Sequence, residues 1–439
     1  MKHLKIFVFF SLILIVISCG VNLNELSHGA NHYTINLKLN PENQRLKIDG
    51  SILYVSPEPF CDSAIFYLHK QFKINSISGE DIAGFKFYNS TDTSLLSNTT
   101  ARILHIYFKR KLNKGEFINI NFSYSGKIDD LPEWSQNIVS KSWTEISYEL
   151  PWFPYNRRHG EFTFDLNVDC VPGYKVRSTG EYTNNNNLYK FHSENPVNDI
   201  PVFASKTFSD IITSVNNYSI NFYYTDIQDS TAEILNNDLK WIMENLVKKL
   251  GAKEKKTFTI IQSLRDIGGS YSHLGTVSLS QLYDSTYLEN REQYFKYLSY
   301  SASKLWRRHS SHDWNDWLND GFSEFSALLL MKEKFGEETF KNLLNDKIDS
   351  LKGSPPVWMF NVDTINSDDS YKTKNEILFL KSPVILHQLY NEIGEENFYG
   401  LINEMINNDV TSTKIFLQIL ERREGKTTTN WFEQILKNF

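Results

Sequence analysis

The hydrophobic periodicity of this chain changes once, near residue 215, and the change separates two halves that must fold differently. In the first half, short segments such as His32–Leu39 alternate polar and apolar residues, which is typical of half-buried strands. In the second half, apolar residues recur every three or four positions over Ala232–Leu250, which predicts an amphipathic helix. Ser230 and Glu233 have the spacing of a capping box, so we expect this helix to start there.

These patterns predict an α+β protein in which an antiparallel β saddle or sandwich domain precedes a mostly helical domain. A chain of 439 residues has the length of two domains, and beyond Glu292 its pattern is helical almost to the last residue. We therefore expect a targeting segment, a tether, a β domain and a helical domain, at residues 1–18, 19–31, 32–215 and 216–439.

The first 20 residues have the composition of a targeting signal. Lys2 and Lys5 precede the apolar run Ile6–Ile17, whose 12 residues are too few for a membrane-spanning helix, which needs about 20. The run leads into Val16–Gly20, which resembles the lipobox of bacterial lipoproteins. That resemblance implies that Cys19 is lipidated and anchors the mature protein to a membrane of the bacterial cell envelope, outside the cytoplasm. A plain secretory signal with an incidental cysteine is the alternative.

Charge and cysteine content argue against nucleic-acid binding and against a cysteine-rich metal site. The formal net charge is −6, whereas a nucleic-acid-binding protein needs a basic surface, so we expect no nucleic-acid partner. The chain has three cysteines and no Cys-x-x-Cys pair, which excludes a cysteine-rich metal site. Apart from Cys19, only Cys61 and Cys170 remain, and the sequence leaves open whether they form a disulfide or stay as buried thiols.

The most informative part of the second half is a pair of short stretches that contain tryptophan. They read Tyr300-Ser301-Ala302-Ser303-Lys304-Leu305-Trp306 and Trp314-Asn315-Asp316-Trp317-Leu318-Asn319-Asp320-Gly321-Phe322. Together they resemble the zinc-site frame of the aminopeptidase-N-like gluzincin family of zinc metallopeptidases. Members of that family carry an H-E-x-x-H helix, a tryptophan two positions later, and a third ligand in a Trp-x-Asn-Glu-Gly-Phe segment. The resemblance implies a thermolysin-like helical domain after an N-terminal β saddle.

The residues that would perform the chemistry of this family are replaced here. Two histidines four positions apart share one helix face and bind one zinc ion, and the intervening glutamate acts as general base. In this chain the histidine positions hold Tyr300 and Lys304, and the base position holds Ser301. Asp320 stands at the third ligand position and keeps a carboxylate. Because serine is no base for water and protonated lysine has no lone pair for a metal, we expect no zinc site.

Two further family positions have lost their functional groups. The Gly-x-Met-Glu-Asn loop of the family, whose glutamate holds the substrate amine, corresponds to a stretch without a carboxylate: Gly268, Gly269, Ser270, Tyr271, Ser272 and His273. The family tyrosine that stabilises the tetrahedral intermediate corresponds to Phe379, which precedes Lys381-Ser382 by two residues. Phenylalanine has no hydroxyl to donate to a developing oxyanion.

A relocated metal site is an alternative interpretation of the same region. His309, His312 and Asp313 precede Asp316 and Asp320, and the spacing of His312, Asp316 and Asp320 lines one helix face. The competing interpretation is a solvated acidic helix start, since aspartates favour the positive end of a helix dipole.

The sequence leaves three hypotheses about function. The first is a lipid-anchored pseudopeptidase without a cofactor, whose retained cleft binds or scaffolds a peptide or protein ligand. The second is an active zinc aminopeptidase with an unusual ligand set, and the third is a metal-independent enzyme in the same cleft. The separate losses favour the first hypothesis, because together they remove both histidines, the general base, the carboxylate of the amine-binding loop and the oxyanion tyrosine.

The same spacing predicts what occupies the metal position. On a helix from about Gln293 to Arg307, Tyr300 and Lys304 lie one turn apart on the face that would hold zinc. We expect the Lys304 ammonium to pair with the Asp320 carboxylate on the next helix, with the Tyr300 hydroxyl nearby. The alternative is that Lys304 extends into solvent and Asp320 is solvated separately.

Overall fold

The computed structural model describes residues 30–91, 100–252, 256–306, 314–351, 353–358 and 368–439. Cys19 and the predicted signal peptide lie outside these residues, as do His309, His312 and Asp313. Among the described residues, no helix is long and apolar enough to cross a membrane.

The strands of the first half form three sheets. Among the described residues, these strands are β1 (Asn31–Asn40), β2 (Arg45–Val55), β3 (Cys61–His69), β4 (Lys73–Ser78), β5 (Ile82–Thr91), β6 (Ala101–Leu112), β7 (Phe117–Lys127), β8 (Ile138–Val139), β9 (Thr144–Ile146), β10 (Phe162–Cys170), β11 (Lys175–Ser178), β12 (Glu181–Asn185), β13 (Leu188–Val197) and β14 (Val202–Ser205). The largest sheet has the strand order β12-β13-β10-β1-β2-β7-β4. The other two sheets have the orders β3-β6-β5 and β11-β14-β9-β8.

The alternation in the sequence decides which face of the seven-stranded sheet is buried. In β1 the apolar positions Tyr33, Ile35 and Leu37 all point into the core of the first half. Pairing in this sheet is antiparallel except between β1 and β10, which run parallel. A period of two is the same in both strand directions, so the sequence pattern cannot reveal that parallel pair. Cys61 and Cys170 are buried free thiols.

A five-stranded sheet opens the second half, with the order β15-β16-β17-β19-β18. Its strands are β15 (Ser209–Val215), β16 (Tyr218–Tyr224), β17 (Lys256–Gln262), β18 (Tyr271–His273) and β19 (Thr276–Leu279). The predicted boundary between residues 215 and 216 falls inside the hairpin of β15 and β16, so the pairing assigns residues 209–215 to the second half. Strands β15 and β16 alternate like the strands of the first half. The change of periodicity therefore coincides with the first helix of the second half and not with the start of that half.

Helices make up most of the second half. They are α1 (Asp229–Leu250), α2 (Asp284–Glu289), α3 (Arg291–Ser303), α4 (Asp320–Phe335), α5 (Glu337–Asp349), α6 (Asp368–Asn375), α7 (Ser382–Ile393), α8 (Glu395–Asn407) and α9 (Thr413–Asn438), the last kinked at Gly425. A β-rich first half followed by a helical second half is the predicted α+β architecture, which is thereby confirmed.

Two helix ends differ from the predictions. Helix α1 starts at Asp229, so Ser230 lies inside its first turn, and no side chain caps the helix from Gln228. The predicted capping box is therefore wrong, and Asp229 instead accepts a hydrogen bond from the Tyr224 hydroxyl at 2.7 Å. Helix α3 ends at Ser303 and continues as a 3-10 turn through the next three residues, so it is shorter than predicted.

Candidate functional site

Helices α3 and α4 bring three of the predicted site residues into contact. Lys304 Nζ lies 3.1 Å from Asp320 Oδ1, and the Tyr300 hydroxyl donates a hydrogen bond to the same oxygen at 2.6 Å. Lys304 Nζ also donates to the Tyr300 hydroxyl oxygen at 3.3 Å, so each of the three side chains contacts the other two. The predicted pair of Lys304 and Asp320, with Tyr300 beside it, is confirmed.

The three side chains are partly shielded from solvent and hold one positive and one negative charge. The side chains of Lys304 and Asp320 are 22% and 16% exposed. Burial alone would raise the pKa of Asp320, but the charge of Lys304 and the hydrogen bonds from Tyr300 and Lys304 outweigh it and lower that pKa. Burial and the adjacent Asp320 carboxylate raise the pKa of Tyr300 well above its ordinary value, so its hydroxyl stays protonated and remains a donor.

Phe379 and Ser301 both lie next to Tyr300. The Phe379 ring packs edge-on against the Tyr300 ring, with 5.6 Å between the ring centroids. Ser301 follows Tyr300 in α3 and is buried, and its hydroxyl has no hydrogen-bond partner among the residues that the structure describes. Phe379 and Ser301 thus place an apolar ring and a buried hydroxyl beside Tyr300, and neither side chain can take a proton from water.

The family-frame residues that this chain retains are residues that pack the core. The buried Trp317 donates its indole N–H to Thr413 at 2.9 Å, and the indole of Trp306 donates to the carbonyl of Gly251 at 2.8 Å. Gly321 lets α4 approach α7, since a Cβ there would lie 2.5 Å from a side-chain carbon of the first α7 residue. The residues of this frame that the chain retains therefore hold the helices together.

A second ion cluster, which the sequence analysis missed, lies one turn further along the same two helices. Glu324 Oε1 lies 2.6 Å from Lys296 Nζ and 2.7 Å from Lys347 Nζ. Burial alone would raise the pKa of Glu324, but the two ammonium groups outweigh it and lower that pKa. Lys296 and Glu324 stand four positions from the predicted site residues of α3 and α4, and this spacing is the signal that could have revealed the cluster.

The glycines of the predicted amine-binding loop contact the rest of the protein through their backbone. Gly268 has a φ of +82°, which favours glycine, and its carbonyl accepts a hydrogen bond from Gln136 of the first half at 2.6 Å. The carbonyl of Gly269 accepts one from Arg265 at 3.1 Å. These bonds fix the loop against both halves of the chain.

The remaining loop residues lead into the edge strand β18. Ser270 Oγ lies 3.5 Å from Ser280 Oγ. Tyr271 is buried, and among the described residues its hydroxyl has no hydrogen-bond partner. Ser272 is half-buried in β18.

A buried ion pair links the first half of the chain to the residues beside this loop. Glu145 of β9 is fully buried, and its Oε2 lies 2.8 Å from Arg265 Nε, whose N–H is not directed at the oxygen, so the contact is an ion pair without a hydrogen bond. Three neutral donors complete the surroundings of this carboxylate at 2.5–2.8 Å: Trp143 Nε1, Ser263 Oγ and Ser278 Oγ. The guanidinium of Arg265 thus neutralises the buried Glu145 carboxylate beside this loop.

An acid–base group that the sequence analysis did not single out lies at the end of β18. His273 Nδ1 is 2.7 Å from Asp199 Oδ2, and His273 Nε2 is 4.0 Å from Glu149 Oε1. The imidazole lies between the rings of Tyr148 and Tyr271, with centroids 4.6 and 4.5 Å away. Burial raises the pKa of Glu149. An imidazole oriented by a carboxylate can accept a proton at its other nitrogen. His273, oriented by Asp199, therefore has the arrangement of a general base.

The side chains at the zinc position of the family do not fit a zinc ion. Zinc needs lone pairs from imidazole nitrogen, thiolate or carboxylate at about 2.0–2.3 Å. Here Asp320 already accepts from Lys304 and Tyr300, and an ammonium offers a metal only repulsion. Within the described part of the chain, no group of three His, Cys, Asp or Glu side chains could hold a metal ion. The alternative site with His312 remains a prediction, because that residue lies outside the description.

Comparison with known proteins identifies the fold. No protein-family model and no curated protein matches this sequence. Solved structures do match: the M1 zinc metallopeptidase from Deinococcus radiodurans superimposes with a TM-score of 0.69, over 93% of this chain and 93% of its own, at 14% identity. A mutant M1 zinc metallopeptidase from the same organism, bound to a Tyr-Ser-Ala substrate, gives a TM-score of 0.67 over 92% and 93%, also at 14% identity.

This chain therefore has the two-domain fold of the M1 zinc metallopeptidases, which are aminopeptidase-like. The likeness covers both the β-rich half and the helical half, as the resemblance of the tryptophan-containing stretches implied. At 14% identity it extends to the fold and not to the chemistry of the site.

We predict that Lys304→Met lowers the free energy of unfolding by about 1.5–3 kcal/mol, the usual worth of a hydrogen bond to a charged group. The substitution keeps the length of the side chain but strands the Asp320 carboxylate with Tyr300 as its remaining donor. Urea unfolding of the purified chain measures the effect. Lys240→Met is the matched control, since Lys240 and Glu244 form an exposed pair at 3.8 Å and the change should stay within about 0.5 kcal/mol. Equal stability of Lys304→Met and the parent would show that the pair does not hold α3 to α4.

We also predict that Asp320 contributes to acid unfolding. Its pKa is lowered in the folded chain, so its stabilising effect is complete above the unfolded value of about 3.9 and disappears as the pH falls through the folded value. An Asp320→Asn variant should therefore lose stability less steeply below about pH 5, by up to about 1.4 kcal/mol per pH unit. Urea unfolding between pH 2 and 7 measures the slopes, and identical slopes for variant and parent would contradict the prediction.

Proposed function

We propose that this chain is a lipid-anchored pseudopeptidase, which has the fold of M1 zinc metallopeptidases but binds no zinc and hydrolyses no peptide. Its cleft binds or scaffolds a peptide or protein ligand instead. The observation that carries the proposal is the ion pair of Lys304 and Asp320, 3.1 Å apart, at the zinc position of the family. An ammonium in that position repels a divalent cation and keeps the carboxylate engaged.

The other replaced positions support the same proposal independently. Metal-assisted hydrolysis needs an activated water, a general base and a donor to the oxyanion. Ser301 and Phe379 supply neither the base nor the donor, and the buried Glu145 is neutralised by Arg265. A site with the fold of a metallopeptidase but without these groups is suited to holding a ligand without cutting it.

Metal analysis and an aminopeptidase assay on the purified full chain test this proposal together. After dialysis we expect far less than one zinc per chain, and no release of chromophore from aminoacyl-anilides with or without added zinc. The Deinococcus radiodurans enzyme, assayed in parallel, is the positive control. Nearly one zinc per chain, lost together with activity on chelation, would overturn the proposal in favour of an active metallopeptidase.

A metal-independent enzyme predicts a different result in the same assay. Turnover would then survive chelation and would disappear when an acid–base group is removed. His273→Ala is the variant that tests this, because His273 is paired with Asp199 and faces Glu149. Turnover with this dependence would replace the pseudopeptidase proposal by the metal-independent one.

The proposed anchor is tested separately at Cys19. The short apolar run that ends in Val16–Gly20 supports lipidation at this cysteine. We expect globomycin, which blocks lipoprotein signal cleavage, to cause the precursor to accumulate. A Cys19→Ala chain that is still processed and remains fully membrane-bound would contradict the lipid anchor.

A further inference from the structure

Two phenylalanines are strongly exposed at one end of the first half. Phe60 is 71% exposed and Phe117 is 53% exposed. They belong to two loops that are hydrogen-bonded to one another, through Ser56 N to the carbonyl of Glu116 at 2.8 Å and Gly115 N to the carbonyl of Ser56 at 2.9 Å. We call residues 56–60 and 113–117 the tip.

Phe60 is held in an unfavourable backbone conformation. Its φ is +61°, in the left-handed region that favours glycine and disfavours bulky side chains. Glycine at this position would relieve the strain and would also remove an exposed apolar ring. Both the backbone strain and the exposure of the ring make phenylalanine unfavourable at this position. A residue that is kept despite these two costs points to a function.

The loop that carries Phe60 is rigid and nearly balanced in charge. Pro57 and Pro59 fix their own backbone φ angles, and Ser56 Oγ donates to the carbonyl of Glu58 at 2.7 Å. In the facing loop, Glu116 is paired with Arg110 at 3.3 Å. The tip holds two acidic residues and one basic residue, Glu58, Glu116 and Lys114. Exposed aromatic rings with so small a net charge suit the headgroup boundary of a bilayer, where aromatic side chains concentrate.

The tip lies where the chain enters the fold. The side chain of Asn31, the first residue of β1, accepts a hydrogen bond from Val55 N at 2.8 Å, and Val55 pairs directly with Phe117. Twelve residue steps separate Asn31 from Cys19, which is a reach of at most about 40 Å. A lipid on Cys19 would therefore keep this end of the protein within about 40 Å of the membrane, close enough for the tip to contact it.

We propose that the tip is a membrane-contact surface, which inserts Phe60 and Phe117 into the headgroup boundary of the bilayer that carries the anchor. This inference rests on the proposed lipidation of Cys19. It adds an orientation to the anchor, because contact at the tip turns the end of the β domain that carries Phe60 and Phe117 toward the bilayer. The partner is lipid, and its surface need not be anionic, since the tip has no basic cluster.

Fluorescence quenching on vesicles tests the tip with the full lipidated chain. Phe117→Cys and, as the matched control, Ile212→Cys carry a nitrobenzoxadiazole label, since Ile212 is an equally exposed apolar residue, at 59%, in β15. The parent chain should take up no label, because Cys61 and Cys170 are buried. On phosphatidylcholine vesicles, we expect doxyl lipids to quench the label at 117 and iodide to quench the label at 212.

A second variant separates membrane contact from the hydrophobicity of the label. In the Phe117→Cys chain, Phe60→Gly should increase quenching by iodide and decrease quenching by doxyl lipid, while the thermal midpoint stays the same or rises because the strain at φ +61° is relieved. Equal iodide access at 117 and 212, in a chain that floats with vesicles, would overturn the tip proposal and leave the anchor intact. Shielding at 117 from iodide without quenching by doxyl lipid would indicate a protein partner and would also overturn it. A parent chain that does not float would contradict the anchor, and the tip assignment would fall with it.

Discussion

Glu145→Ala is expected to lower the free energy of unfolding by about 3–5 kcal/mol, the cost of leaving one partner of a buried ion pair without the other. Arg265 would keep its charge at a site where 4% of the residue is exposed. Trp143, Ser263 and Ser278 would also lose their common acceptor. The effect should be large because this carboxylate joins β9 of the first half to β19 and to the segment that follows β17 in the second half. Urea unfolding followed by far-UV circular dichroism measures it.

A double variant distinguishes a stranded charge from a lost contact. Glu145→Gln keeps an acceptor for the two serines, and Arg265→Met removes the guanidinium that Glu145→Gln would leave unpaired. We expect the double variant to be more stable than either single variant, since residues in one ion pair do not contribute additively. Glu244→Ala is the surface control, because its pair with Lys240 is half exposed and should contribute less than about 1 kcal/mol. A loss below about 1 kcal/mol for Glu145→Ala would contradict the assigned role.

Local periodicity predicted the class of elements such as β1 and α1 but not the partners of every strand. The alternation of His32–Leu39 identified the buried face of β1, because side chains of a strand alternate whatever lies beside it. The parallel pairing with β10 and the membership of β15 in the second sheet depend on contacts between distant segments. Neither contact leaves a trace in the local pattern, so the boundary near residue 215 was placed inside a hairpin.

The candidate site was predictable where helix spacing decides it. Tyr300 and Lys304 lie one turn apart, and the family frame placed Asp320 opposite them, so their contacts followed from the sequence. Continuing the same spacing by one turn would have revealed Lys296 and Glu324. The pairs of Glu145 with Arg265 and of Asp199 with His273 join the two halves of the chain. Those contacts depend on how the halves pack, which no local spacing reports.

Restoring the ligand set of the family is expected to create a zinc site on this scaffold. The variant carries Tyr300→His, Ser301→Glu, Lys304→His and Asp320→Glu. Tyr300 and Lys304 already contact Asp320 across α3 and α4, so two imidazoles and one longer carboxylate would converge on the same place. Three such ligands and a water complete a tetrahedral zinc site, and we expect a dissociation constant below about 1 μM, or more than about 8 kcal/mol of binding. Isothermal titration with zinc measures the change from the parent, which should show no saturable binding.

The matched control and the catalytic consequence follow from the same geometry. The control chain carries Tyr300→Phe and Lys304→Met, which remove the ammonium without adding metal ligands. It should bind no zinc if zinc binding requires the added imidazoles. The rebuilt chain should hydrolyse aminoacyl-anilides poorly, because Phe379 still offers no donor to the oxyanion. Adding Phe379→Tyr should then raise kcat by about 10²–10³-fold, the usual effect of one oxyanion donor. If the rebuilt chain folds like the parent and still binds no zinc, α3 and α4 do not hold these positions as the M1 metallopeptidases do, and the pair of Lys304 and Asp320 does not occupy a lost metal site.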